Sequence, residues 1–258
     1  MNIQLSDHFT YRRLFKFVLP SIGMMVFTSI YGIVDGFFVS NFAGKTAFAA
    51  VNLIMPFLMI LSSLGFMFGT GGCALVSKNL GEDGVSAFGV MMYVGMIFYS
   101  VFMGYAVGTA PIISYNYGAE NYDEKRNVFR KSLVITAVFS VAMVAASLLL
   151  AAPMSKLYVG YDETLFELTV SGFRIFSFSF LFAGTAIYSS SFFTALNNGL
   201  VSAVISFLRM LVFPAICVFI LPLIWGINGI WIALVAAEFI SAVVDAGVLI
   251  KFKGKYRY

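Results

Sequence analysis

Long apolar stretches recur along this sequence and constrain its fold more than any other feature. A helix needs about 20 mostly apolar residues to cross the hydrocarbon core of a bilayer, and seven stretches reach this length. They lie at about residues 15–39, 48–77, 87–117, 131–152, 165–195, 201–224 and 226–250. Short loops marked by Gly, Asn, Asp or Pro are predicted between them, as at Asn41–Lys45, Gly81–Gly84, Asn197–Gly199 and Gly226–Gly229. Strands of a membrane barrel would instead alternate lipid-facing and lumen-facing residues. Since 60% of the 258 residues belong to the set AVILMFWYC, against about 45 to 50% apolar residues in soluble domains, we predict an all-α, multi-pass membrane helical bundle.

The remaining residues argue against several classes of function. The two cysteines, Cys73 and Cys217, stand in separate apolar stretches without a CxxC or Cys/His spacing, so neither a disulfide framework nor a metal site is predicted. The single histidine, His8, precedes the first span and leaves no Ser/His/Asp or Cys/His set for catalysis. The net charge of +4 comes from basic residues at the ends of spans, as in membrane proteins. We therefore expect no enzyme, no cofactor and no nucleic-acid partner.

The second and third spans look like two copies of one helix. The order Gly, Gly-Thr, Ser-x-Asn-x-Gly occupies residues 65–81 and returns over residues 104–118. Small residues spaced by four are also common wherever membrane helices touch closely, which explains the glycine pairs but less easily the whole order. Two tandem copies of a helix should point in the same direction.

The basic residues support this shared direction. Strict alternation of seven spans from a cytoplasmic amino terminus places five basic residues inside and nine outside, against the positive-inside bias. If an odd number of helices is missing between about Asp83 and Ala87, twelve lie inside and two outside. The same change gives the second and third spans one direction. The alternative is a seven-helix protein whose orientation does not follow the charge bias.

Several segments resemble multidrug and toxic compound extrusion (MATE) transporters. Leu19-Pro20, Tyr31-Gly-Ile-Val-Asp35 and residues 69–82 resemble the first two helices of that family. Residues 108–119, 196–198 and 226–231 resemble helices eight to twelve of the same family, in its bacterial MepA-like branch. The family has twelve helices in two six-helix lobes related by a pseudo-twofold axis. The resemblance thus implies that helices three to seven are absent, that residues 1–83 form a partial amino-terminal lobe, and that residues 84–258 form most of the carboxy-terminal lobe.

Asp35 is the sharpest candidate for a functional group. A carboxylate inside a membrane span costs about 2.5 to 3.5 kcal/mol on insertion scales, so it usually faces a polar cavity on an ion or substrate path. Tyr31 lies one helical turn before Asp35 on the same face. Met24, Thr28 and Phe38 continue that face and are candidate substrate-cavity residues. Since Asn41 follows closely, Asp35 could instead reach water or cap a loop.

The resemblance assigns roles to three residues of the first span. It implies that Asp35 binds the coupling ion, that Tyr31 supports it and that the helix bends near Pro20. Protonation or Na⁺ binding at Asp35 would then displace the substrate.

Three further charged residues within spans have an uncertain role. Glu238 and Asp245 are seven residues apart in the last span, hence on roughly one face, and Arg209 lies in the sixth. A buried ion pair is predicted, with structural pairing favoured over ion coupling.

The function implied by the resemblance is export of cationic or amphipathic organic compounds across a bacterial plasma membrane, in exchange for H⁺ or Na⁺. Membrane lipid and these substrates are the expected partners. Because helices that line the amino-terminal cavity are absent, we expect the chain to need a partner that supplies them. Two alternatives remain: a non-transporting fragment that assembles with a full-length homologue, and a flippase of lipid-linked oligosaccharides. The scarcity of intramembrane Arg and Lys argues against the flippase.

Overall fold

The computed structural model describes residues 9–42 and 69–258; within these ranges the side chains of residue 28, residues 31–42 and 69–82 and residue 227 are not described. The described chain is helical and contains no strand, which confirms the predicted all-α class. Its helices are α1 (Tyr11–Phe42), α2 (Gly69–Gly118), α3 (Tyr122–Val159), α4 (Glu163–Ser177), α5 (Phe180–Ala195), α6 (Gly199–Phe207), a π-helical turn (Leu208–Val212) and α7 (Phe213–Tyr256).

Four stretches of these helices are long and apolar enough to cross a membrane. They are Asp83–Gly118, Tyr122–Val159, Gly199–Gly226 and Asn228–Tyr256. Helices α4 and α5 together could form a fifth crossing, bent by 50° at the break between them. The first predicted span lies within α1, and most of the second, at residues 48–77, lies outside the described residues.

The predicted loop at Gly81–Gly84 is wrong, because α2 continues through it for 50 residues. A glycine lowers helix propensity by only about 1 kcal/mol, so the helical neighbours on both sides can carry the helix across. Residues 69–82 and 87–118 consequently share one direction, as tandem copies should. At about 1.5 Å per residue the helix reaches about 75 Å, well beyond a hydrocarbon core of about 30 Å. Its apolar crossing begins at Asp83.

Side-chain caps start three of the helices. Asn121 accepts a hydrogen bond from the Glu124 N–H before α3, and Asp162 accepts one from the Leu165 N–H before α4. Asn198 caps α6 in the same way, after Asn197 adopts a φ of 57°. Asn and Asp are favoured at such positions because their side-chain oxygens satisfy free N–H groups. The turn predicted at Asn197–Gly199 is therefore confirmed.

Helices α1 and α2 pack closely and run antiparallel. A Cβ added at Gly104 would lie 2.6 Å from the Ile22 Cα, and one at Gly108 would lie 2.7 Å from the Val18 Cγ1. Further along, the Ser29 hydroxyl donates to the Met96 carbonyl at 3.4 Å. The glycine pair of the third span is thus a contact surface, where small residues let two helices approach.

The loop predicted at 226–229 is confirmed as a break between two spans, and it is shorter than predicted because the chain reverses at a single residue. Gly226 has φ 57° and ψ −133°, a conformation that residues with a Cβ strongly avoid. Gly229 then lies directly against the Leu221 carbonyl, and Cys217 packs with Ala233. A helical hairpin results, whose first arm is Gly199–Gly226 and whose second arm is Asn228–Tyr256.

Candidate functional site

The hairpin joins Arg209 of the first arm to Glu238 of the second arm. The Arg209 Nε donates to Glu238 Oε2 at 2.9 Å, and Nη2 donates to Oε1 at 2.8 Å. The two side chains are only 11% and 14% exposed. Two parallel charge-assisted hydrogen bonds of this kind are among the stronger polar contacts in proteins. Arg209 also stands in the π-helical turn, a local widening that is frequent at functional sites.

Tyr99 adds α2 to this pair. Its hydroxyl donates to Glu238 Oε1 at 3.5 Å, and its ring centroid lies 5.8 Å from the guanidinium carbon of Arg209. The cluster therefore connects α2 with both arms of the hairpin. The sequence did not point to Tyr99, because nothing in its local pattern separates it from the other 12 of the 13 tyrosines.

Asp245 lies two helical turns beyond Glu238 and differs from it in its surroundings. Asp245 is 2% exposed, and its Oδ2 has no hydrogen-bond partner among the described residues. Ser241, one turn earlier, is fully buried, and its hydroxyl also has no hydrogen-bond partner recorded among the described residues. Asp245 interacts electrostatically with Arg209 and Glu238. We call Tyr99, Arg209, Glu238, Ser241 and Asp245 the charge cluster.

A row of hydroxyl groups joins α5 to α6 next to this cluster. The Ser190 Oγ lies 2.9 Å from the Ser202 Oγ and 2.7 Å from the Ser206 Oγ, and the Thr194 Oγ1 lies 2.7 Å from the Ser202 Oγ. Ser206 precedes Arg209 by three residues, so this hydroxyl row ends within one turn of the charge cluster. Shared hydroxyl contacts of this kind hold membrane helices together.

The predicted site on the first span cannot be compared in the same detail. The side chains of Tyr31, Asp35, Thr28 and Phe38 lie outside the described residues, although all four positions are in α1. Met24 is 60% exposed. The exposed Pro20 lies within α1, where the helix continues through it. The roles assigned to these six residues stay predictions.

These features define a polytopic helical membrane protein with ionised groups inside its bundle. The MatE family model matches residues 20–84 and residues 73–220. Because the two matches together cover more than half of the chain, the chain belongs to the MatE family, whose members are transporters. The matches overlap over residues 73–84, next to the predicted join near Asp83.

Solved structures of transporters share this fold. A MATE protein in the straight conformation matches with a TM-score of 0.71 and 20% identity, over 76% of this chain and 44% of that one. An outward-facing multidrug resistance MATE family transporter of the MOP superfamily matches with a TM-score of 0.70 and 19% identity, over 76% and 45%. A MOP superfamily transporter from Pyrococcus furiosus gives 0.70 and 20%, over 76% and 45%.

The chain thus spans less than half the length of these transporters, which agrees with a partial MATE protein. No curated protein matches it.

Proposed function

We propose that this chain is part of a multidrug exporter that moves cationic or amphipathic organic compounds out across a bacterial plasma membrane in exchange for H⁺ or Na⁺. The observation that carries this proposal is the Arg209–Glu238 pair, held between helices of a bundle with the MATE fold. Ionisable residues inside membrane spans are costly and usually mark ion or substrate paths. The pair alone would also suit a structural role, and it is the similarity of the surrounding bundle to transporters that supports antiport.

In this proposal the first helix contains the coupling site. Asp35 takes up the ion, Tyr31 bonds the carboxylate, and the helix bends near Pro20. Ion binding and substrate binding favour different conformations of the bundle, so each ligand lowers the affinity for the other by linkage. The face continued by Met24, Thr28 and Phe38 would contact the substrate. Their positions on one face of α1 support this assignment.

Transport also requires a complete amino-terminal lobe, of which the resemblance implies that residues 1–83 supply only the first two helices. This chain covers less than half of each matched transporter. A closed path across the membrane would therefore need helices from a partner.

Reconstitution tests this function directly. The purified 258-residue chain alone, in proteoliposomes with a pH or Na⁺ gradient, should not move a fluorescent organic cation. The same chain reconstituted with the six-helix amino-terminal half of a full-length family member should export the dye, and Asp35→Asn should abolish this activity. Export by the chain alone would contradict the need for a partner. No export with the added half would contradict the exporter itself.

The partial length supports a second function, assembly with a full-length homologue without transport by this chain. Co-purification of the two, with dye export by the homologue that does not respond to Asp35→Asn in this chain, would favour this function over the exporter. A flippase of lipid-linked oligosaccharides is less well supported, since Glu238 already neutralises Arg209.

A further inference from the structure

We propose that Asp245 is a proton-binding site inside the bundle, separate from Asp35, and that Arg209 controls whether the proton stays there. The inference rests on the proposed function for its use in transport. Binding of the proton itself can be measured without any substrate.

The surroundings of Asp245 fit a carboxylic acid better than a carboxylate. Ala237, Ser241 and Asp245 follow one another at intervals of four residues on the second arm and are all buried, so they form one inward face. An ionised carboxylate buried without a partner is strongly disfavoured. A protonated Asp245 has an O–H to donate, and the Ser241 hydroxyl one turn away is within bonding reach and otherwise without a partner.

Among the described residues, several buried side-chain atoms have no hydrogen-bond partner. Asp245 supplies the one atom of this set that belongs to a carboxylic acid. The others belong to uncharged side chains. An uncharged hydroxyl without a partner is a modest defect, whereas a charge in the same situation requires a counter-ion or a proton.

The charge cluster has one more acid than it has cations, so one further positive charge is needed to make it neutral. Arg209 from the π-helical turn is its single cation, and Glu238 and Asp245 from the second arm are its two acids. Tyr99 from α2 faces the pair, Ser179 from the break between α4 and α5 lies beside Tyr99, and both side chains are uncharged at neutral pH. Glu238 already occupies two N–H groups of the guanidinium. One acid is left over, and a single proton on Asp245 makes the cluster neutral.

A proton fits this position better than a metal ion. The described residues contain no group of three or more His, Cys, Asp or Glu side chains that could hold a metal. Hard cations need several oxygen ligands, whereas Ser241 is the hydroxyl that reaches Asp245. The nearby guanidinium would also repel a metal cation.

Arg209 and the proton together make a two-position switch. While the guanidinium pairs with Glu238, the proton stays on the Asp245 carboxyl group. If Arg209 turned to Asp245, the O–H bond would break, the proton would leave to water or to Glu238, and the guanidinium would neutralise the new carboxylate. The two acids lie two turns apart on one helix, so this exchange would couple proton release to movement of the first arm.

Infrared spectroscopy of the full chain in lipid nanodiscs tests the proposal, because a protonated carboxyl group has a C=O stretch well separated from that of a carboxylate. At neutral pH the wild-type chain should show this band. Because a protonated Asp35 would contribute to the same band, the variants are compared in an Asp35→Asn background. In that background Asp245→Asn should remove the band, while the exposed control Asp123→Asn should keep it. An Asp35→Asn chain without the band, or a band that survives when Asp245→Asn is added to Asp35→Asn, would overturn the proposal.

A second variant avoids dependence on the folding of Asp245→Asn. Ser241→Ala keeps the acid but removes its hydrogen-bond partner, so the band should move to higher frequency. An unchanged frequency would contradict the assigned bond. Saturable binding of radioactive Na⁺ that disappears in Asp245→Asn would replace the proton by sodium and overturn the proposal. If the chain shows the expected band but does not export dye after the amino-terminal half is added, the proposed function is contradicted and the proton site is not.

Discussion

Two polar clusters inside this bundle differ in how completely their groups are paired. At the end of the bundle near Tyr256, the fully buried Lys125 donates to the Tyr256 carbonyl and lies 4.5 Å from the ring centroid of Tyr122. Its neighbour Glu124 accepts the Phe9 N–H at 2.6 Å. We call these groups the helix-end cluster. In the charge cluster, by contrast, an Asp245 oxygen has no partner among the described residues.

The difference separates structural polar groups from groups that are able to change state. The helix-end cluster ties the start of α1 to the start of α3 and the end of α7, and its bonds are those of a fixed structure. The charge cluster has two acids for one guanidinium, so more than one arrangement of bonds is available. Networks with such alternatives are what switching transitions require.

Breaking the pair in the charge cluster should have the largest effect. Glu238→Ala removes the acceptor of both Arg209 hydrogen bonds, so we expect a loss of about 3 to 5 kcal/mol in the free energy of unfolding while Asp245 keeps its proton. A smaller loss, together with loss of the carboxyl band, would mean that Arg209 has turned to Asp245. Denaturant titration in detergent micelles measures this loss. The exposed Glu167→Gln is the control and should change little. A double variant, Arg209→Met with Glu238→Leu, should recover most of the stability; a full loss in the double variant would mean that the charges are not the cause.

Removing the cation of the helix-end cluster should have the next largest effect. Lys125→Met keeps much of the side-chain volume but loses the charged hydrogen bond to the Tyr256 carbonyl, so we expect a loss of about 1.5 to 3 kcal/mol. The same titration measures it, with the exposed Lys156→Met as the control. The infrared carboxyl band should be unaffected. A change in that band would show that the two clusters are coupled and would weaken the distinction drawn between them.

The reversal at Gly226 should matter because it brings Arg209 opposite Glu238. Gly226→Ala places a Cβ on a residue with φ 57° and ψ −133°, which we expect to cost about 1 to 3 kcal/mol. Gly254→Ala, with no atom within 4 Å of the added Cβ, is the matched control. Equal stability of the two variants would show that the hairpin turn is not strained by a side chain.

The smallest effect is expected in the hydroxyl row. Ser190→Ala removes its contacts with Ser202 and Ser206, and the expected loss is about 0.5 to 1.5 kcal/mol. Because the row contains no charge, the carboxyl band of Asp245 should keep its intensity. Loss of that band in Ser190→Ala would instead make the row part of the proton site. Ser171→Ala, in α4, provides a comparison with a serine outside the row.

Most of the helices could be predicted from hydropathy, because crossing a bilayer demands a fixed number of apolar residues. The turn at Asn197–Gly199 could also be predicted, since Asn at a helix start has a local physical reason. The loop predicted at 81–84 was wrong, whereas the one at 226–229 marks a true reversal of the chain. A glycine permits a break but does not require one, so Gly81 and Gly84 stay helical while Gly226 reverses the chain.

The sequence by itself determined that this is a membrane helical bundle with acids and an arginine inside its spans, since composition and spacing are local properties. Only the tertiary structure decided which groups meet. Arg209 and Glu238 are 29 residues apart and meet because the hairpin reverses at Gly226. Tyr99 reaches them from another helix, and the Oδ2 of Asp245 is left without a hydrogen-bond partner in the part of the chain that the structure describes. Such pairings depend on how helices pack around one another, which no local pattern encodes.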